Sequence, residues 1–333
     1  MKSIIFWRLQ KCYRRFFVIG CRRQAIREKI LSQTTPPPFA DASLRPRRSV
    51  LYVPGTNAKA IDKARGLPCD ALILDLEDSV APARKAEARV RACEAIASGQ
   101  FPGREAVIRV NPLGSPEAPD DIVAAAAAEP DAILVPKITS AADVERAELA
   151  LVEAFAVRRT ALWLMIETPR AVLELGAICA AIRANNTRAT VLVMGLNDLS
   201  KETRVPLSLG RASMLPWLAQ AVLAARAYGF GIIDGVFNGI ADSAGFIGEC
   251  HQGRALGFDG KTVIHPSQIV PANAIFAPDH DEISEAQAVV AAFSRPENAR
   301  AGVIQLDGRM VERLHLAEAE RVLAMAQAAG LLG

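Results

Sequence analysis

The chain has 333 residues, 51% of them hydrophobic and only 5% aromatic, enough apolar side chain to bury a large core in one big domain or two ordinary ones. Its formal net charge of +3 is uneven: within residues 1–48 twelve Lys or Arg stand against Glu28 and Asp41, so the remainder is mildly acidic. Nucleic-acid binding shows as a basic face on a folded domain rather than as a basic leader, and no apolar run approaches the ~20 residues that span a bilayer; neither nucleic acid nor membrane is expected as a partner.

Residues 1–47 read as a separate basic extension, disordered or partly helical, in which Phe16-Phe17-Val18-Ile19 is closely flanked by Arg15 and Arg22. Six cysteines without a Cys-x-x-Cys pair, and no cleavable signal segment, point to reduced thiols and a cytoplasmic protein. A mitochondrial matrix location is the alternative if the leader is a targeting peptide. Gln33-Thr34-Thr35-Pro36-Pro37-Pro38 is a stiff spacer, because proline has no amide donor and restricts the residue before it.

From Arg48 onward, apolar runs alternate with Ala-rich helical stretches. The runs are Val50–Val53, Ala71–Leu74, Val107–Val110, Ala132–Val135, Leu162–Ile166, Val191–Met194, Ile232–Val236 and Thr262–Ile264. Continuous rather than alternating hydrophobicity means both strand faces are covered, as in a parallel sheet surrounded by helices. Eight such units predict an α/β fold, a (β/α)8 TIM barrel over residues 48–275. A doubly wound open sheet is the competing arrangement, but it would use fewer strands and a nucleotide-type glycine loop. Residues 276–333 form a C-terminal helical extension, with helices expected over Ile283–Phe293 and Met310–Met325; it packs on its own barrel or completes a neighbouring subunit's site.

Barrel enzymes carry their chemistry at the C-terminal ends of strands. Strand one ends in Pro54-Gly55, strand two in Asp75-Leu76-Glu77-Asp78, strand three holds Arg109, and strand four ends in Pro136-Lys137. Strands five and six deliver Glu167 and Asp198, 31 positions apart, and strand seven delivers Asp234. Carboxylates at the tips of buried strands lose hydration and need a partner, so Glu167 and Asp198 are the expected ligands of a divalent cation such as Mg2+.

Arg109, in an otherwise apolar strand, requires an anion, either a substrate carboxylate or a structural acid such as Asp75. Arg109 and Asp75 are catalytic candidates, and Glu77 and Asp234 join Arg109 among those that bind substrate; helix capping is the alternative for Asp75–Asp78. Lys59 and Lys63 share one helical face just beyond strand one, where they suit the phosphates of a long ligand or simply face solvent. His265, beside strand eight with Lys261, reads as a structural donor.

With these residues assembled, the chain resembles the citrate lyase beta-subunit-like family of CoA-ester lyases, within the HpcH/HpaI aldolase superfamily, which includes malyl-CoA and citramalyl-CoA lyases. The likeness is carried by Leu51-Tyr52-Val53-Pro54-Gly55, Asp75-Leu76-Glu77-Asp78-Ser79-Val80 with Lys85 and Arg89, and Ile108-Arg109-Val110-Asn111. It continues through Val135-Pro136-Lys137, Ile166-Glu167-Thr168-Pro169, Gly195-Leu196-Asn197-Asp198-Leu199 and Gly260-Lys261 to His265-Pro266-Ser267-Gln268.

The resemblance implies that Glu167 and Asp198 bind Mg2+, that Arg109 grips the substrate carboxylate, and that Tyr52, Lys59 and Lys63 contact CoA. It implies a homotrimer or hexamer in which a C-terminal aspartate completes a neighbour's site; the matching position here is Glu312, a catalytic candidate that keeps the carboxylate and adds a methylene. The expected activity is Mg2+-dependent carbon–carbon cleavage of a 3-hydroxyacyl-CoA, malyl-CoA or citramalyl-CoA, to acetyl-CoA and a 2-oxo acid. A malyl-CoA thioesterase, a CoA-free aldolase and a non-catalytic CoA-ester-binding protein are the alternatives.

Overall fold

The computed structural model describes residues 45–157, 159–298 and 300–332. Nearly all of the basic leader, and with it the expected 1–47 segment, lies outside them. Its last three residues do not: Arg47 is buried and donates from Nε and Nη2 to Glu105, 2.6 and 3.1 Å away, which ties the end of the leader to the barrel.

Eight parallel strands close into one barrel in sequence order. They are β1 (Ser49–Pro54), β2 (Ala71–Asp75), β3 (Glu105–Arg109), β4 (Ala132–Val135), β5 (Ala161–Ile166), β6 (Ala189–Met194), β7 (Gly231–Asp234) and β8 (Gly260–Val263). Each matches an apolar run read from the sequence. Closure comes from β8 pairing with β1, Ser49 opposite Lys261.

Between them run α1 (Ala58–Ala64), α2 (Lys85–Ala97), α3 (Ala118–Ala128), α4 (Ala141–Glu153), α5 (Pro169–Leu173), α6 (Leu175–Ala184), α7 (Leu196–Thr203), α8 (Leu215–Tyr228) and α9 (Ser243–Leu256), and α10 (Ile269–Ile275) follows the last strand. Helix starts follow side-chain chemistry: Thr168 accepts from the Ala171 amide at α5, and Ser140 forms a capping box with Asp143 at α4.

Two apolar layers meet at the strands. Val50, Ile73, Val107, Leu134, Trp163, Met165, Val191, Val193 and Ile233 fill the barrel. Their sequence neighbours Leu51, Leu72, Ile108, Ile133, Leu164, Leu192 and Ile232 face the helices. Because side chains alternate across a strand, this parity decides which strand-end polar residues point into the barrel mouth.

The C-terminal extension has its own small core of Ala286, Val289, Phe293, Ile304, Val311 and Ala319. Its first helix, α11 (His280–Phe293), carries an Asp279–Glu282 capping box. The helix expected from Met310 begins later, as α12 (Arg313–Ala328), because Val303–Leu306 and Arg309–Glu312 pair as an antiparallel hairpin, β9 and β10. Asp307 and Gly308, at φ 50° and 79°, form its two-residue turn, the left-handed pair that fits the twist of a hairpin.

Candidate active site

The parity of β2, β3 and β5 sends Asp75, Arg109 and Glu167 to the same end of the barrel interior. Asp75 accepts from Arg109 Nε at 2.7 Å and Nη2 at 2.8 Å. It also accepts from the amides of Glu77 at 2.9 Å and Ser79 at 3.0 Å. With both oxygens filled and its pKa lowered, against a large burial penalty, by Arg109 first and then by Ser79 and the Glu77 amide, Asp75 is a fixed anion that aims the guanidinium. Its contacts hold it in place beside Arg109, the residue it was expected to act with.

One edge of Arg109 is thereby committed. The other, Nη1, lies 2.8 Å from Glu77 Oε2, 3.6 Å from Asp78 Oδ2 and 3.6 Å from Met165 Sδ. Tyr52 lies under the guanidinium, its ring centroid 4.9 Å from Cζ. Glu77 Oε2, though close to Nη1, is out of line for a hydrogen bond, and burial pushes this carboxyl up to about 7. Its loop is held from below by Lys85, whose ammonium donates to the carbonyls of Leu76 and Glu77 at 2.9 and 2.7 Å and to Asn111 at 2.7 Å.

Glu167 is fully buried at the end of β5. Oε1 accepts from the Lys137 amide at 2.6 Å, and Oε2 is buried with no hydrogen-bond partner. Burial pushes its pKa up to about 8, Glu77 adding to the rise and the Lys137 ammonium opposing it. Asp198 sits in the first turn of α7, and Lys137 Nζ bridges the acids at 2.5 Å from Asp198 Oδ2 and 3.7 Å from Glu167 Oε1. The two acids expected to share an ion thus face one point.

These donors fit a hard divalent cation: two carboxylates converging on one ammonium, one of them with an oxygen buried and unpartnered. Among the described residues no group of three or more His, Cys, Asp or Glu could hold a metal ion by itself. Mg2+ suits that limit, since it is commonly held by one or two carboxylates, with water and substrate oxygens completing its shell.

Gly195 permits the approach of strands five and six, since a Cβ there would lie 2.4 Å from Glu167 Cβ and 2.7 Å from Oε2. Gly195→Ala must displace Glu167, α7 or both. Shifts of order 1 Å at an active site cost ~10²-fold in rate, so this variant is expected to lose most of its activity and at least tenfold in Mg2+ affinity by calorimetry.

Other expected residues lie elsewhere. Lys59 and Lys63 are exposed on α1, beyond the tip of β1. Glu312 caps α12, its carboxylate accepting from the His315 amide while the His315 ring accepts from its own amide 2.9 Å away, a local pairing within the C-terminal extension. Asp234 does not reach the mouth. Ile233 fills the barrel, so Asp234 points to the helices, where Arg211 Nη1 at 2.6 Å and Lys261 Nζ at 2.9 Å occupy its two oxygens. The structure thus places Asp234, expected among the substrate-binding residues, as a buried anion between two cations. Lys137 and Met165 are the site residues without an assigned role in the sequence; Lys137 stands in a quoted motif, directly after a proline at a strand end.

The sequence pattern of the HpcH/HpaI aldolase/citrate lyase family matches residues 48–266. A protein of Cereibacter sphaeroides strain KD131 named (3S)-malyl-CoA thioesterase is 43% identical, covering 85% of this chain and 95% of its own length. Citrate lyase subunit beta of Escherichia coli K12 is 32% identical over 86% of this chain and 95% of its own. Among solved structures, CitE of Mycobacterium tuberculosis in complex with magnesium, acetoacetate and coenzyme A superposes with a TM-score of 0.66 at 27% identity, covering 86% of this chain and 99% of that one.

Proposed function

The chain belongs to the HpcH/HpaI aldolase/citrate lyase family, and from that premise we propose that it is a Mg2+-dependent enzyme acting on malyl-CoA-type thioesters, with the thioester as the bond cleaved. The observation that carries the metal-dependent part is the buried Glu167 carboxylate, whose Oε1 shares the Lys137 ammonium with Asp198 and whose Oε2 has no hydrogen-bond partner. The choice of bond is supported by identity: relatives at 41–43% are named malyl-CoA thioesterase, and those named citrate lyase subunit beta stand at 30–32%.

In this reading Glu167 and Asp198 would hold Mg2+, which when bound would supply Lewis-acid polarisation of the ester. Arg109, clamped by Asp75, turns Nη1 to the same carboxylate, and Tyr52 backs the guanidinium. Glu77 Oε2 takes a proton from the water that attacks the thioester carbonyl carbon. A carboxyl near 7 is matched to that task at neutral pH. The carbon–sulfur bond breaks, the proton passes to the departing sulfur, and a hydroxy diacid and free CoA result. Lys59 and Lys63, exposed on α1, take the CoA phosphates in this reading.

A second reading, carbon–carbon cleavage, is favoured by the carboxylate of Glu312 on a C-terminal arm with its own core. There Glu77 takes the hydroxyl proton, the bond between the second and third carbons breaks to leave a 2-oxo acid, its electrons rest on the thioester enolate, and Glu312 of the partner subunit protonates that to acetyl-CoA. That reading needs an assembly such as the homotrimer.

Incubating the protein with Mg2+ and malyl-CoA or citramalyl-CoA, then resolving the CoA products, separates the two. Free CoA is expected, with Glu312→Gln within a few-fold of wild type. Acetyl-CoA, lost in Glu312→Gln, would establish the second reading instead, and neither product with either ester would remove both.

A further inference from the structure

Lys137 has no part in the reaction as derived, yet its backbone and side chain both serve the two acids. Following Pro136 it adopts a left-handed conformation, φ 56°, unusual for a lysine. That turn aims its amide at Glu167 Oε1, 2.6 Å away, and returns its ammonium to a point 2.5 Å from Asp198 and 3.7 Å from Glu167. The ammonium therefore occupies the place that a divalent cation shared by the two carboxylates would take. Its side chain is 29% exposed, so it can leave that place toward water without unpacking the core.

We propose that Lys137 is an exchangeable counter-ion: it neutralises Glu167 and Asp198 until a divalent cation takes their oxygens, then swings to the barrel mouth and binds the carboxylate of a 2-hydroxy or 2-oxo acid. The inference rests on the reading that Glu167 and Asp198 hold the metal ion. A divalent cation and the ammonium would share one pair of acids only against their mutual repulsion, which for positive charges ~4 Å apart in a partly dry site is several times thermal energy and favours departure of the mobile one. The four-carbon stem lets the ammonium move without moving the backbone, and the Arg109 fork pinned by Asp75 has no such freedom. The arriving substrate then finds a mobile cation released by the metal, which couples the two binding events.

The test is a binding cycle, read by calorimetry at constant pH, with malate as the probe acid and no turnover required. For wild type and Lys137→Met, malate affinity is measured without Mg2+ and with Mg2+ at a concentration shown to saturate each protein. A charge-assisted contact made only in the metal-loaded protein is worth ~10-fold or more in affinity. Without Mg2+, wild type and Lys137→Met bind malate equally; with Mg2+, Lys137→Met binds about tenfold more weakly.

Equal weakening in both conditions would make Lys137 an ordinary substrate contact and overturn the exchange. So would malate binding by Lys137→Met that matches wild type in both. If wild type shows no Mg2+ binding, the metal reading falls together with the exchange; if Mg2+ binds and wild-type malate affinity is unchanged, the exchange alone is overturned. Lys137→Gln, checked by thermal unfolding, repeats the cycle with a polar side chain and guards against a folding defect in the methionine variant.

Discussion

Glu167→Gln is expected to lose Mg2+ binding and to drop turnover of malyl-CoA-type esters by about 10³-fold or more, since the metal's pull on the reacting oxygens is worth several kcal/mol. Its fold should survive. Gln keeps the oxygen that accepts from the Lys137 amide, and the change removes a buried carboxylate whose other oxygen has no partner. Burial already pushes the Glu167 carboxyl up to about 8, so near neutrality a neutral amide replaces a largely neutral acid and the variant's unfolding temperature should match that of wild type. Calorimetric Mg2+ titration beside thermal unfolding checks both halves. Retained Mg2+ affinity would place the ion elsewhere and take the proposed chemistry with it.

The same pair of acids shows how far the sequence speaks. Eight apolar runs were enough for the barrel, because parallel strands sandwiched between a filled interior and a ring of helices must be apolar on both faces. That continuity also hides which way a strand-end residue points. Ile232-Ile233-Asp234 offers no alternation, so only the closed barrel shows that Ile233 faces inward and Asp234 outward. Asp75, Arg109 and Glu167 share the inward parity, and their grouping emerges from the register of β2, β3 and β5 rather than from their spacing.

Two other features had local causes. Asp307-Gly308 is a hairpin signal in plain view, but the apolar spacing from Met310 onward reads as helix, and β9–β10 pairing settles which wins. Lys137 reaches both acids only because its backbone turns left-handed, a conformation that nothing about a lysine announces.

Asp234→Asn is expected to cost stability rather than substrate affinity. Both oxygens of the carboxylate serve cations, Arg211 and Lys261, which are as fully buried as Asp234 itself; Glu249, 3.1 Å from Lys261 Nζ, remains as their acidic neighbour. Removing one partner of such a buried set leaves charge without compensation, typically ~3–5 kcal/mol, or roughly 6–20 °C in unfolding temperature for a domain this large. The site itself lies on the other face of β7, so below the variant's unfolding transition KM should stay within a few-fold of wild type.

The pH dependence has a definite sign. Against its burial penalty, Lys261 and then Arg211 hold the Asp234 carboxyl below the usual range. A depressed pKa contributes stability that is fully present above the unfolded value of ~3.9 and is lost as pH falls through the folded one. The gap in unfolding temperature between wild type and Asp234→Asn should therefore be widest near neutrality and close below about pH 4. A variant with wild-type stability and a KM raised tenfold would return Asp234 to the substrate site and refute its outward orientation.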